Sequence, residues 1–235
     1  MSGERRADSG TTPGDKGRFD GYDVMAQERH WDATTAEVVK KRLAPPEDKL
    51  RFFSEAEART AGALFDGILA QRSEPRVPVL QMVDARLAAG DTDGWHYEDM
   101  PEDNVAWHES LIYLEADAQE VFARPFWECS HVERGEIIQA VQSSETWHGL
   151  PSPHIWSLWS RYACAAFYSH PWAWNEIGFS GPAYPRGYKV LRLGWREPWE
   201  VAERRPASPV PWANRVEQAK EAHKARVGHS SEAGR

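Results

Sequence analysis

Two four-residue strings, Ser54-Glu55-Ala56-Glu57 and Ser130-His131-Val132-Glu133, narrow the folds open to this chain more than anything else in it. Each has the form of a capping box: the serine side chain accepts from the helix's third amide, and the glutamate reaches back to the serine's own amide. The apolar residues after each box are spaced for a helix. Ala61, Leu64, Phe65, Ile68 and Leu69 fall at helical intervals behind the first, and Ile137, Ile138 and Val141 behind the second. Between them, Val79, Met82 or Val83, and Leu87 share one face of another helix, with Gly90 where a glycine cap belongs. Trp107, Leu111, Leu114, Ala118, Val121 and Phe122 trace a long amphipathic helix from Val105 to Phe122, capped by Asp103 or Asn104 and ended by Pro125. Ser152-Pro153 offers a capping hydroxyl and a first-turn proline to a helix carrying Ile155, Trp156, Leu158, Trp159, Tyr162 and Phe167. No segment alternates with period two and none repeats. The expected class is all-α: an irregular helical domain over residues 47–190, an extended N-terminal arm over 19–46 and a C-terminal tail over 191–235.

The ends differ from the body. Residues 1–18 are Gly, Ser, Thr and charge, a composition that predicts disorder. In the arm, Phe19, Tyr22, Val24, Met25 and Trp31 precede a short helix predicted over Asp32–Leu43, and Ala44-Pro45-Pro46 breaks it. That is too apolar for a free tail, so the arm lies along either this chain's own surface or a partner's. The tail reads as a short extended stretch with Trp195 and Trp199, a proline-rich run to Trp212, and a short helix toward Val227.

Charge excludes one class of partner. Residues 53–150 hold 19 Asp and Glu against 6 Arg and no Lys, whereas residues 191–235 hold 9 Lys and Arg against 6 acids. An acidic body is the wrong surface for phosphate, so no nucleic-acid partner is expected. Two cysteines, Cys129 and Cys164, exclude a disulfide framework. No apolar run is long enough to span a bilayer. Arg5-Arg6 has no apolar stretch behind it, so a cytoplasmic chain is expected, or one exported together with a signal-bearing partner.

Motifs for nucleotides, flavins, activated serines and zinc hydrolysis are absent, and no cofactor is expected in this chain. The remaining candidates are single residues. Cys129-Ser130-His131, preceded by Glu128, lacks the second pair of a zinc site and reads as a helix start, so no metal is expected. His148 and His154 flank a short loop able to bring them together. Glu109 and Glu115 fall on different helix faces, and Asp91/Asp93 and Glu102/Asp103 read as solvated. His170 is held extended by Pro171 and sits beside Trp172 and Trp174; it suits either general acid–base work or a structural hydrogen bond.

Residues 169–188, SHPWAWNEIGFSGPAYPRGY, concentrate aromatics, glycines and prolines. Ser169 is expected to cap a short helix with Pro171 in its first turn and Gly178 at its end. Gly181-Pro182 and Pro185-Arg186-Gly187 impose two tight turns, giving a stiff loop that displays Phe179, Tyr184, Arg186 and Tyr188. Rigid aromatics beside an arginine suit a protein-docking surface and an active-site loop equally.

The order His170-Pro171, Trp174, Glu176-Ile177-Gly178, Gly181-Pro182, Tyr184-Pro185, Gly187-Tyr188 resembles the signature of the gluconate 2-dehydrogenase subunit 3 family. The helices from Phe52 to Gln71 and from Val77 to Trp95 are similar to that family's as well. The resemblance implies a non-catalytic small subunit that supports the folding, stability or export of a flavoprotein of the glucose-methanol-choline type. The partner holds the FAD and oxidises a sugar or other alcohol. Many members carry a twin-arginine signal, and none is visible here. On this reading Phe19, Tyr22, Trp31, His170, Trp174, Phe179, Tyr184, Arg186, Tyr188, Trp195 and Trp199, with Trp212, face the partner. Two rival expectations are a stand-alone enzyme using His170, Glu176 and Tyr184 or Tyr188, and a chaperone that leaves after maturation.

Overall fold

Both capping boxes close in the computed structural model of the chain, which describes residues 19, 21–44, 49–71, 74, 76–190 and 195–202. Ser54 Oγ accepts from Glu57 N at 3.4 Å and a Glu57 carboxylate oxygen accepts from Ser54 N at 2.9 Å. The second box has the same contacts at 3.3 and 2.7 Å. They open α2 (Glu55–Leu69) and α5 (His131–Ser143). The expectations for residues 1–18, for the break at Pro45-Pro46, and for the tail beyond Ala202 with Trp212 lie outside the described residues.

The architecture is all-α, with α1 (Ala33–Leu43), α3 (Val79–Ala88), α4 (Asp103–Phe122), α6 (Ser152–Ser169) and α7 (Pro171–Ile177) besides the two capped helices. The helix α2 is central and packs against α3, α4, α5 and α6. After α3, Gly90 takes φ +66, and the amides of Gly90 and Asp91 donate to the carbonyls of Leu87 and Arg86 at 3.0 and 3.1 Å. That reciprocal pair is a Schellman cap, which only a residue tolerant of the left-handed region closes cheaply. A two-residue hairpin, β1 (Thr146–Trp147) against β2 (Leu150–Pro151), turns the chain from α5 into α6 and is the one pairing of strands among the described residues.

The core is built on aromatics from three helices. Trp107, fully buried, meets Phe53, Phe65 and Tyr162 at centroid distances of 5.9, 5.5 and 5.8 Å, all edge-on or tilted. Tilted pairing suits the ring quadrupoles and fills the volume between α2, α4 and α6. Two buried polar groups find partners within this core, whereas the Trp107 indole N–H has none among the described residues. Trp159 Nε1 donates to Ser110 Oγ at 3.0 Å, and buried Asp84 accepts the amides of Arg51, Phe52 and Phe53 at 2.8–2.9 Å. That carboxylate fixes the segment leading into α2.

Three local expectations are corrected by the structure. The cap of α4 is Glu102, with no side-chain bond, and neither Asp103 nor Asn104 serves. Asp103 turns inward instead and accepts the Tyr162 hydroxyl at 2.6 Å. Burial and that negative partner push the Tyr162 phenol well above its ordinary value. Pro151, not Ser152, precedes α6, and Ser152 is buried in its first turn. Asp93 is not simply solvated: it bridges Arg86 at 2.5 Å and Arg161 at 2.7 Å. These two guanidiniums lie over the Tyr162 and Trp95 rings at 4.6 and 4.5 Å.

The arm lies along this chain's own surface. A 3-10 helix over Val24–His30, capped by Asp23, leads through Trp31 into α1, where Asp32 Oδ1 accepts from Thr35 N at 2.7 Å. Val24, Trp31 and Val39 close with Trp174 of α7 into a second, smaller core. No helix among the described residues is long and apolar enough to cross a membrane.

Candidate functional site

The loop after α6 is shaped first by Pro171. A proline at the first helical position has no amide to leave unpaired, and it holds the preceding residue extended. His170, at φ −91 and ψ 136, is therefore the cap of α7, and its Nδ1 accepts from Trp172 N at 3.2 Å. Ser169 does not cap; it closes α6, donating its hydroxyl to Ala166 O at 2.8 Å. At the other end Gly178 takes φ +71, and the amides of Gly178 and Phe179 both return to Trp174 O.

Beyond α7 the chain is held from two sides. The arm contributes Val24 N, donating to Asn175 Oδ1 at 2.7 Å, the Tyr22 hydroxyl, donating to Phe179 O at 3.2 Å, and Gln27 Oε1, accepting from Arg186 at 3.1 Å. The indole of Trp31 lies directly against Gly181. The tail contributes Trp199 O, accepting from Ser180 Oγ at 2.8 Å, and the Glu197 carboxylate, accepting the amides of Lys189 and Val190. Arg186 ties both sides to the loop. It donates to Ser180 O at 2.6 Å while its guanidinium lies 4.7 Å over the Trp199 ring. Of the two expected turns only the second forms, where Gly187 N donates to Ala183 O at 2.7 Å; Gly181 takes φ +75 in a stretch that closes no turn.

This bracing sorts the residues expected to face a partner. Trp31, His170 and Trp174 are buried within the chain itself, at 8, 3 and 4% exposure. Phe19, Tyr22, Arg186 and Trp199 are half-buried in the joints between arm, loop and tail. Phe179, Tyr184, Tyr188 and Trp195 remain exposed, the last three by more than half. Ile177 and Tyr168, which were not expected to face a partner, are also exposed, on α7 and α6. The joint-forming Gln27 and Asn175 carry no local pattern that marks them, because their partners are more than 150 positions away, and Glu197 reaches back seven and eight positions across an irregular segment.

His170 has the geometry of a brace. Burial, reinforced by the nearby Arg42 charge, lowers its pKa to about 4, so the ring is neutral at ordinary pH. With Nδ1 accepting the Trp172 amide, the proton resides on Nε2. Clefts of about 320, 270 and 590 Å³ open elsewhere, and His170, Glu176, Tyr184 and Tyr188 line none of these three. His148 and His154 are each engaged separately. His148 meets Asp117 at 2.7 Å and stacks on Tyr113; His154 meets Asp99 at 2.8 Å and stacks on Tyr97. Cys129 is buried with its sulfur 3.5 Å from Pro125 O, and burial pushes its thiol up. No group of three or more metal-ligating side chains is assembled among the described residues.

A model of the gluconate 2-dehydrogenase subunit 3 family matches residues 55–181, from the first residue of α2 to the glycine beneath Trp31. Neither the curated proteins nor the solved structures contain a match.

Proposed function

The chain belongs to the gluconate 2-dehydrogenase subunit 3 family, small subunits of dehydrogenase complexes, and from that premise we propose that it is a non-catalytic accessory subunit of an FAD-dependent sugar or alcohol oxidoreductase. The exposed aromatics Phe179, Tyr184 and Tyr188 on a loop pinned by arm and tail, with Trp195 exposed on the tail itself, are the observation that carries the reading. Aromatic side chains that are already held lose little conformational entropy on docking, so their buried area converts efficiently into affinity. The flavin and the catalytic residues belong to the glucose-methanol-choline type partner. This chain supplies a rigid surface on which the partner folds or is kept soluble, and it travels wherever the complex does.

Affinity purification of the full-length chain from its own cells, followed by co-expression with the flavoprotein recovered, tests this. A stoichiometric yellow complex is expected, with a loss of soluble, flavin-loaded partner when the chain is omitted. A partner equally soluble, flavinated and active without the chain would overturn the proposal.

A further inference from the structure

At the end of α1 the chain forms a cleft of about 320 Å³ lined by Lys41, Arg42, Lys49 and Arg51 together with apolar residues that include Leu50 and Met82. We propose that this cleft receives an acidic segment of the same dehydrogenase partner, as a second contact beside the exposed aromatics; the inference rests on the function proposed for the chain.

The cations are concentrated there against the trend of the chain. Residues 40–51 hold five Lys and Arg against two acids, and no lysine follows until Lys189. Two of the four cations have no work among the described residues. The guanidinium of every other described arginine donates to or pairs with a protein group, but that of Arg51 does not, and neither does the Lys49 ammonium. The one described carboxylate in the lining, Asp84, spends both oxygens on the amides of Arg51, Phe52 and Phe53, and so fixes the backbone that presents Arg51.

The buried indole of Trp174 links the cleft to one exposed aromatic, Phe179. Arg42 donates to Ser169 O at 3.0 Å and lies 5.5 Å over the Trp174 ring. The same indole meets Phe179 edge-on at 5.4 Å. A partner seated on Phe179 is therefore one indole away from the cations. Lys49 and Arg51 stand exposed at the mouth rather than converging inside a dry pocket. That arrangement suits several carboxylates spread along a peptide, each paired at the surface, better than one small anion. Such contacts steer the encounter and fix register more than they add affinity.

The test is the dissociation constant of the full-length chain with its flavoprotein partner at two salt concentrations. The double variant K49E/R51E should bind about tenfold more weakly at ~50 mM salt. The difference should shrink to about twofold at ~0.5 M, where screening acts within a few ångströms. If the double reversal lowers the melting temperature, K49Q/R51Q replaces it, with about a threefold loss expected at low salt. Affinity within twofold of wild type at low salt would overturn the proposal, as would citrate binding the free chain tightly while the complex ignores the reversal. Absence of any wild-type complex would overturn the proposed function, and this site with it; a normal wild-type complex indifferent to K49E/R51E would overturn this site alone.

Discussion

Gly181→Ala isolates the contact that holds the arm against the loop. Gly181 has φ +75, and a Cβ added there would lie 2.5 Å from Trp31 Cζ2 and 3.3 Å from both Trp31 Cε2 and Val24 Cγ2. The left-handed backbone alone costs an L side chain about 1–2 kcal/mol. The overlap adds about 1–3 kcal/mol, because the buried indole has no room to retreat. Gly187→Ala supplies the control: φ is +66, and nothing lies within 4 Å of the added carbon. Gly181→Ala should therefore cost about 2–5 kcal/mol and Gly187→Ala about 1–2 kcal/mol. There is a ceiling, since a clash larger than the arm's docking energy simply lifts the arm. Urea unfolding measures the global cost, and hydrogen exchange at Val24 N, protected by Asn175 Oδ1 at 2.7 Å, measures the lifting. Exchange there should quicken about 5- to 100-fold more in Gly181→Ala than in Gly187→Ala. Equal losses in the two variants, with Val24 equally protected, would refute the idea that Trp31 is seated on this glycine.

Two further substitutions probe the same framework. His170 is lowered to about 4 from an ordinary 6.5, so its contribution is complete above pH 6.5 and is lost as pH falls toward 4. That amounts to about 3 kcal/mol over the window. His170→Asn keeps a capping acceptor without a titrating group, and its stability should fall less steeply between pH 6.5 and 4; parallel pH profiles in urea unfolding would count against the assignment. Asp84→Ala leaves three backbone amides without their acceptor and should cost about 3–5 kcal/mol by the same measurement. A loss below about 1 kcal/mol would show that this carboxylate does not hold the entry to α2.

Local features were the legible ones in the sequence. The capping boxes at Ser54 and Ser130 and the glycine cap at Gly90 are closed by residues within a few positions of each other, so composition and spacing suffice. Two of the failures are long-range. Asp103 reads as a cap until Tyr162, 59 positions on, claims it, and Asp93 reads as solvated until Arg86 and Arg161 converge on it. The two-residue strands of the hairpin are too short to alternate. The apolar content of the arm marked it as covered, but its seat on Trp174 joins segments about 150 positions apart. Residue type alone pointed Trp31, His170 and Trp174 outward, and packing turned them in. The turn that ends at Gly187 was readable from Pro185 and that glycine; the clamps at Gln27, Asn175 and Glu197 that hold the loop were not.

The central claim is that the exposed aromatics dock the dehydrogenase partner. Its most direct test is the dissociation constant of the full-length chain for that flavoprotein, wild type against the triple variant Tyr184→Ala/Tyr188→Ala/Trp195→Ala. These three side chains are 67, 54 and 65% exposed, so their removal should leave the chain's own stability within about 0.5 kcal/mol. If they dock the partner, affinity should fall at least about a hundredfold, as expected when aromatic anchors leave an interface centre. A stable triple variant that binds as tightly as wild type would contradict it.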